Sequence, residues 1–361
     1  MRAHGRRLAE EQLEAMKRHK HLWGQVASFD NLAAAARAAM RGKRSRPPAA
    51  CFFTGWETEV ARLEAGLKEG SYRPGPYHYF EIHDPKTRTV AAAPFRDRVV
   101  HHALVRVLEP IFEKRFIEDS YACRKGKGTH AGMRRAAQFA KRYPYALKCD
   151  VRRYFPSIDQ EVMRGQLAHV IGDRRVLELA DLILATHVDE IRQVWPEEAD
   201  LFAVRERRLG LPIGNLTSQF FANIYLDGFD HFVKQEMRVK GYVRYVDDFL
   251  LFGKSRTELR RWGRAVRGRL GELGLEIHPD KYRLCTTRHG VDFCGFVVRA
   301  DGRIRVRSTG VRRFRRRYRR MRWEVKKGRR DAATLTSSVV AWVAHASHTQ
   351  SVGLRRRVLG R

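Results

Sequence analysis

Cysteine is scarce and scattered: Cys51, Cys123, Cys149, Cys285 and Cys294 make an odd count with no C-x-x-C pair. This argues against a disulfide framework and against a zinc module, and fits reduced thiols in a cytoplasm. Long apolar runs are missing too. No stretch approaches the ~18 uninterrupted apolar residues of a spanning helix, so no membrane partner is expected. The first thirty residues carry Arg2, Arg6, Arg7, Glu10, Glu11, Glu14, Lys17 and Arg18 and leave no room for an apolar signal core, so secretion is not expected either. Internal repeats and long low-complexity segments are absent. Acid is in short supply: 40 Asp and Glu stand against 72 Lys and Arg, a formal net charge of +32 over 361 residues.

What is present is enough to fold. Hydrophobic residues make up 43 % and aromatics 10 %, which excludes wholesale disorder. A charge of +32 repels itself, and a polyanion relieves it most directly, so nucleic acid is the expected partner. Charge alone does not separate an enzyme from a scaffold protein.

Residues 8–40 read as amphipathic helices through Leu8, Leu13, Met16, Trp23, Val26, Phe29, Leu32 and Ala36. The basic, proline-containing stretch 41–50 reads as a loop, or as a phosphate-contacting arm. Helices are expected over 57–69 (closed by Gly70), 96–113 and 133–142, with strand-like pattern over 77–93. His101 and His102 lack further Cys or His at ligand spacing and read as satisfied histidines rather than a zinc pair.

Three segments place chemistry at element ends. Tyr145–Asp150 is a short strand ending in an acid, followed by Ser157 and Gln160 as a capping box. Gly210-Leu-Pro-Ile-Gly214-Asn-Leu-Thr-Ser-Gln219 is a glycine-marked turn opening a helix. Tyr242–Gly253 is a hairpin of two β-prone runs with Asp247 and Asp248 at its tip. A helix over 255–273, with Ser255 and Glu258 as its capping box, and a hairpin turn at Asp301-Gly302 follow. Three carboxylates, Asp150, Asp247 and Asp248, repel one another unless cations lie between them, and such hard oxygen ligands suit Mg²⁺. Two ions could activate a 3′-hydroxyl and stabilise a pyrophosphate leaving group. Taken singly, each acid also reads as an ordinary turn or capping residue. The fold class is α+β, an antiparallel sheet carrying the acids with helices around it.

In this order the segments resemble a reverse transcriptase. Asp150 and its strand resemble polymerase motif A, Gly210–Gln219 motif B, and Tyr245-Val-Asp-Asp248 the Y-x-D-D box of motif C. Residues 274–282 resemble motif D, and Val291-Asp-Phe-Cys-Gly-Phe296 the primer grip of motif E. Pro94–Leu104 and Tyr121–Gly132 resemble the fingers motifs. The resemblance spans most of 75–300. It implies a right-hand polymerase: an N-terminal helical extension and basic linker (1–48), fingers (49–145), palm (146–298, with fingers helices about 160–209) and a helical thumb (299–361). More narrowly, Ile213-Gly-Asn-Leu-Thr-Ser-Gln219, Tyr121-Ala-Cys-Arg with Lys127-Gly-Thr-His-Ala-Gly132, and Trp342-Val-Ala-His-Ala-Ser-His-Thr349 resemble enzymes of diversity-generating retroelements. That resemblance implies copying of a template-repeat RNA into cDNA with errors at template adenines. It also implies a small basic helical oligomeric accessory protein.

The resemblance also implies roles. Asp150 and Asp247, with the Val151 carbonyl, would hold two Mg²⁺ ions, with Asp248 a supporting acid. Phe155 occupies the position of a steric gate against a ribose 2′-hydroxyl, or is a core residue, or both. Gly214 would let the backbone lie close to the templating pair. Ile213 stands where higher-fidelity relatives carry Gln; it either weakens checking of the nascent pair or merely packs. Arg88, Arg96 and Arg98 are candidates for the dNTP triphosphate, and Lys281 for the leaving pyrophosphate, with solvated or ion-paired fates open to each. Arg124 and Lys127 would touch template backbone, and Gln219, Cys294 and Gly295 the template or primer.

The tail concentrates the charge: residues 303–330 hold fifteen Lys and Arg against the single acid Glu324. Phe314, Tyr318, Met321 and Val325 recur at helical spacing, giving one apolar stripe and a cationic remainder. Arg312, Arg316, Arg319 and Arg320 are its candidates for an RNA–DNA hybrid backbone; accessory protein or structured template RNA are the other occupants open to this surface. The alternatives to a diversity-generating enzyme are a group II intron-, retron- or defence-type reverse transcriptase, or a non-catalytic RNA-binding scaffold.

Overall fold

A computed structural model describes residues 18–83, 87–194 and 205–360. The helix expected around Leu8 to Met16 lies outside the described residues. Two compact units interleave along the chain. The first takes the chain up to Phe116, then Arg152–Asp230 and Leu270–Leu275; the second takes Ile117–Val151, His231–Arg269 and Glu276–Arg361. The described strands are β1 His78–Ile82, β2 Arg88–Ala92, β3 Tyr145–Asp150, β4 Glu190–Val194, β5 Arg205–Leu209, β6 Gly241–Tyr245, β7 Asp248–Gly253, β8 Arg283–Thr286, β9 Val291–Phe293, β10 Phe296–Val298 and β11 Ile304–Val306. Among the described residues no helix is long and apolar enough to cross a membrane.

The first unit is mainly helical. Phe95–Glu113 is its central helix and buries Val99, Val100, Ala103, Leu104, Leu108 and Phe112. Each of the valine, leucine and phenylalanine side chains contributes roughly 1.5–3 kcal/mol by leaving water. Trp56–Glu69 ends at Gly70, whose φ of 75° is the left-handed conformation that closes helices. Two expectations are corrected here. Pro47 and Pro48 do not extend a loop but open the helix Pro47–Thr54, since proline at the first turn gives up only an N–H that has no intrahelical partner. The cap of Gln160–Val170 is Asp159 rather than Ser157: its carboxylate accepts from the Glu161 and Val162 amides. β1 and β2 pair as a hairpin, as do β4 and β5. Beyond the hairpin, the Ala91 amide donates to the Ile213 carbonyl at 2.9 Å, fixing the Gly210–Gln219 turn to the strand.

The second unit holds the sheet in the order β6-β7-β3-β8, antiparallel throughout, and a smaller sheet β11-β10-β9. Apolar residues fill β7 (Phe249, Leu250, Leu251, Phe252), so the strand is buried on both faces. The helix Thr129–Arg142 lays Met133, Ala136, Phe139 and Ala140 on a core shared with Ala146, Val243, Phe252, Phe293 and Phe296. At the C-terminal end, β11 occupies the front of the basic tail and the helix begins at Ser308, running to Lys326. Its stripe is as expected: Phe314 and Met321 are buried, and the Phe314 ring stacks on Trp342 of the helix Ala332–Ser347 at 4.3 Å. The expected Ser255 cap also forms, with the Glu258 amide donating to its hydroxyl at 3.1 Å.

Candidate active site

The acids come together at one end of the four-stranded sheet. Tyr245 ends β6, Val246 turns the chain with φ of 56°, and Asp248 begins β7. In the β3–β7 register Asp150 lies directly opposite Asp248. Asp247 occupies the turn, and its carbonyl accepts from the Val151 amide at 3.0 Å, which ties the end of β3 to the tip of the hairpin. Two ammonium groups balance the carboxylates. Lys281, in the short 3₁₀ turn Pro279–Lys281, reaches Asp150 Oδ1 at 2.5 Å. Lys148 lies 3.3 Å from Asp248 Oδ2 and donates to the Asp292 carbonyl at 2.8 Å.

Burial raises the Asp248 carboxyl to about 7; Lys148 opposes the shift, while Asp150 and Asp247 add to it. Asp248 Oδ1 is buried without a hydrogen-bond partner. An orphaned carboxylate oxygen on a residue opposite a second aspartate in the sheet register is the donor chemistry of a hard divalent cation. Among the described residues no group of three His, Cys, Asp or Glu is arranged to hold a metal, so the expected side-chain ligands number two, Asp150 and Asp247, with Asp248 beside them. Lysines hold Asp150 and Asp248 instead. Mg²⁺ characteristically takes only one or two carboxylates and completes its shell with water and substrate phosphates, so the donor set still fits it.

Lys148 was missed in the sequence. Its signal was spacing: residues two apart in a strand share a face, so Lys148 and Asp150 point the same way from β3. Arg124 and Lys127 stand in the expected loop but are spent on it. Arg124 donates to the Ile117 and Ser120 carbonyls at 2.6 and 2.9 Å, and Lys127 pairs with Glu118 while lying over the Tyr121 ring. Cys294 and Gly295 form the turn between β9 and β10 with φ of 51° and 85°, and burial pushes the Cys294 thiol up, out of nucleophile range. Arg312, Arg316, Arg319 and Arg320 are exposed along the terminal helix, and Arg320 lies 3.7 Å from Glu324.

The remaining candidates belong to the first unit. Gly214 has φ of 114°, and a Cβ there would lie 2.7 Å from Val90 Cγ1, so glycine is required twice over. Ile213 is half-buried beside it. Gly214, Gln219 and Arg98 line one cavity of about 800 Å³, together with Lys43, His101 and His102. Arg88 and Arg96 do not line it; Arg96 lies over the Tyr72 ring, 5.4 Å from its centroid. Arg98 donates from Nε to the Ala93 carbonyl at 2.7 Å. Phe155 is half-buried, 5.7 Å from the Tyr154 ring, and its carbonyl accepts from the Leu211 amide at 2.9 Å. Burial drives His101 down to about 3 and His102 to about 4, and the expectation of satisfied histidines is not met at His101, whose Nδ1 is buried without a hydrogen-bond partner.

An antiparallel sheet with opposed aspartates at its end, helices around it and a large cationic excess define a right-hand polymerase. Residues 82–298, more than half of the chain, match the family described as reverse transcriptase (RNA-dependent DNA polymerase), and the chain belongs to that family. Protein YkfC of Escherichia coli (strain K12) is 26 % identical over 296 residues, covering 70 % of this chain and 75 % of that one. Group II intron-encoded protein LtrA of Lactococcus lactis subsp. cremoris is 25 % identical over 182 residues, 50 % of this chain and 29 % of LtrA. The chain thus spans three-quarters of YkfC and under a third of LtrA. A solved apo telomerase from Candida tropicalis superposes on 67 % of this chain and 59 % of its own, with a TM-score of 0.48 and 12 % identity.

Proposed function

We propose that the carboxylate site extends a DNA primer 3′-hydroxyl with dNTPs against an RNA template, with Asp150, Asp247 and the Val151 carbonyl as ligands for two Mg²⁺ ions. The observation that carries this reading is Asp150 opposite Asp248 in register, with Asp247 at the adjoining turn. When bound, the metal pair supplies an acidified 3′-hydroxyl and charge neutralisation at the pyrophosphate. Asp248, whose carboxyl burial raises to about 7, stands beside that position, restrained by Lys148. Lys281, held on Asp150, is the proton donor available to the leaving group. Phe155 excludes the ribose 2′-hydroxyl, Gly214 admits the templating pair, and Arg98, lining the same cavity as Gly214, is the triphosphate ligand we favour among the three arginines. Fingers, palm and thumb follow the divisions 49–145, 146–298 and 299–361. The scattered thiols suit a cytoplasmic location.

Within the family we favour a diversity-generating enzyme that copies a template-repeat RNA with errors at adenines and works with a small basic helical accessory protein. Ile213 supports this: a branched apolar side chain offers no hydrogen bond to the minor-groove edge of the nascent pair. The similarity to LtrA supports the alternative, a group II intron-type enzyme. Sequencing cDNA made on a defined RNA decides between them. The diversity-generating reading predicts misincorporation concentrated opposite template adenines, reduced severalfold by Ile213→Gln. A low, base-independent error rate in the wild type supports the intron-type reading.

A further inference from the structure

Among the largest side chains that the fold buries completely is an arginine, Arg244, with no exposed surface. It lies in β6, beside Tyr245 and just ahead of the turn that carries Asp247. In the sequence it reads as one more residue of the β-prone run Tyr242–Tyr245. A guanidinium is rarely buried whole, because removing it from water costs far more than burying an apolar side chain at the same place. Its contacts show what it does there. The Arg244 side chain donates from Nη1 to the Val246 carbonyl at 2.9 Å. Its backbone is held as well: the Arg244 amide donates to the Asp119 carbonyl, and the Arg244 carbonyl accepts from the Tyr121 amide, both at 2.9 Å. The side chain is thus an arm on a fixed strand, ending on the peptide that joins Val246 to Asp247.

That peptide follows a strained residue. Val246 has φ of 56°, in the left-handed region. A β-branched side chain is an outlier there, since its Cβ crowds the adjoining backbone. Valine keeps such a conformation only where its surroundings over-determine it. Two hydrogen bonds do so. Arg244 holds the Val246 carbonyl, and the Val151 amide holds the Asp247 carbonyl at 3.0 Å. We infer that Arg244 is a positioning residue: it keeps Val246 left-handed and thereby sets where the Asp247 carboxylate stands against Asp150. Its contact is with the backbone, so it acts through Asp247. The inference rests on the polymerase reading for the use made of Asp247.

The test relieves the strain by a second route. Arg244→Met removes the donor, and Val246→Gly lets the turn adopt its φ without steric cost, so the double variant should no longer need the arm. Hydrogen exchange of the full chain, without metal or substrate, reads the turn directly. The Val151 amide is expected to exchange about tenfold faster in Arg244→Met and to return most of the way to wild type in the double variant. The Tyr121 amide, bonded to the Arg244 carbonyl, should not change. In primer extension on RNA, Arg244→Met is expected to lower kcat about a hundredfold with hybrid affinity unchanged, and added Val246→Gly to restore about tenfold. If Arg244→Met folds poorly, Arg244→Lys carries the same comparison, since it keeps the charge but swaps the fork for a shorter point donor. Equal losses in single and double variants, faster exchange at Tyr121 and Val151 alike, or wild-type exchange in the single variant overturns the inference. So does failure of both single and double variants to fold, which makes the arginine merely structural. A wild-type chain that extends no primer overturns the polymerase reading instead and leaves the exchange result standing.

Discussion

Lys148 and Asp248 form a largely buried ion pair at the candidate active site: the side chains are 14 % and 20 % exposed and lie 3.3 Å apart. Removing one partner of such a pair leaves an uncompensated charge in a dry place. Lys148→Met should therefore cost about 3 kcal/mol of stability, and Asp248→Asn in the same chain should recover most of it. Urea unfolding of the two single variants and the double variant measures this coupling; additive losses would show that the pair is not linked. At this scale the three aspartates were legible because adjacent acids between two β-prone runs have few other uses. The fates of the arginines and lysines were not. Sequence treats Arg124 and Arg312 alike, yet one is consumed by the Ile117 and Ser120 carbonyls and the other faces an acid-free cavity. Which cation is left free depends on backbone acceptors that only folding assembles.

Among the elements, the turn Gly210–Gln219 shows how a short motif is fixed by a distant strand. Its Ile213 carbonyl is held by the Ala91 amide, and the Asn215 side chain donates to the Ala91 carbonyl at 2.9 Å. Gly214 is thereby pressed against Val90. Gly214→Ala should cost about 2–4 kcal/mol, part from its φ and part from the contact. Val90→Ala removes the methyl that collides, so the double variant should be about 1 kcal/mol more stable than the summed single losses. Thermal unfolding read by circular dichroism tests this, and strict additivity would place the whole cost in the backbone. Periodicity located the helices 56–69, 95–113 and 308–326 well, because each buries one stripe. It failed at ends: Asp159 competes with Ser157 for the same cap, and Pro47 serves equally to break a loop or to start a helix. Local sequence carries both options, and packing decides.

Over the whole molecule, the excess of +32 coexists with a deeply buried histidine, His101, and a half-buried one, His102, whose charged forms are disfavoured. Free histidine titrates near 6.5, whereas burial first, with neighbouring cations, lowers His101 to about 3 and His102 to about 4. Between those values and 6.5 the unfolded chain binds protons that the folded chain does not, so stability is full above 6.5 and falls as pH drops toward 4. Denaturant unfolding from pH 7.5 to 4.5 should show this slope, shallower in His101→Leu; an unchanged slope in the variant would assign it to other groups. The same excess of cations frames the reading of function, with nucleic acid as their partner and a small cluster of carboxylates in the second unit as the candidate site. The central claim is that Asp150, Asp247 and Asp248 make that site a polymerase. Its most direct measurement is primer extension on an RNA template with dNTPs and Mg²⁺, comparing wild type with Asp247→Asn/Asp248→Asn at matched hybrid binding. The account predicts full-length cDNA from the wild type and a loss of at least a thousandfold in the variant with binding retained; equal extension by both would contradict it.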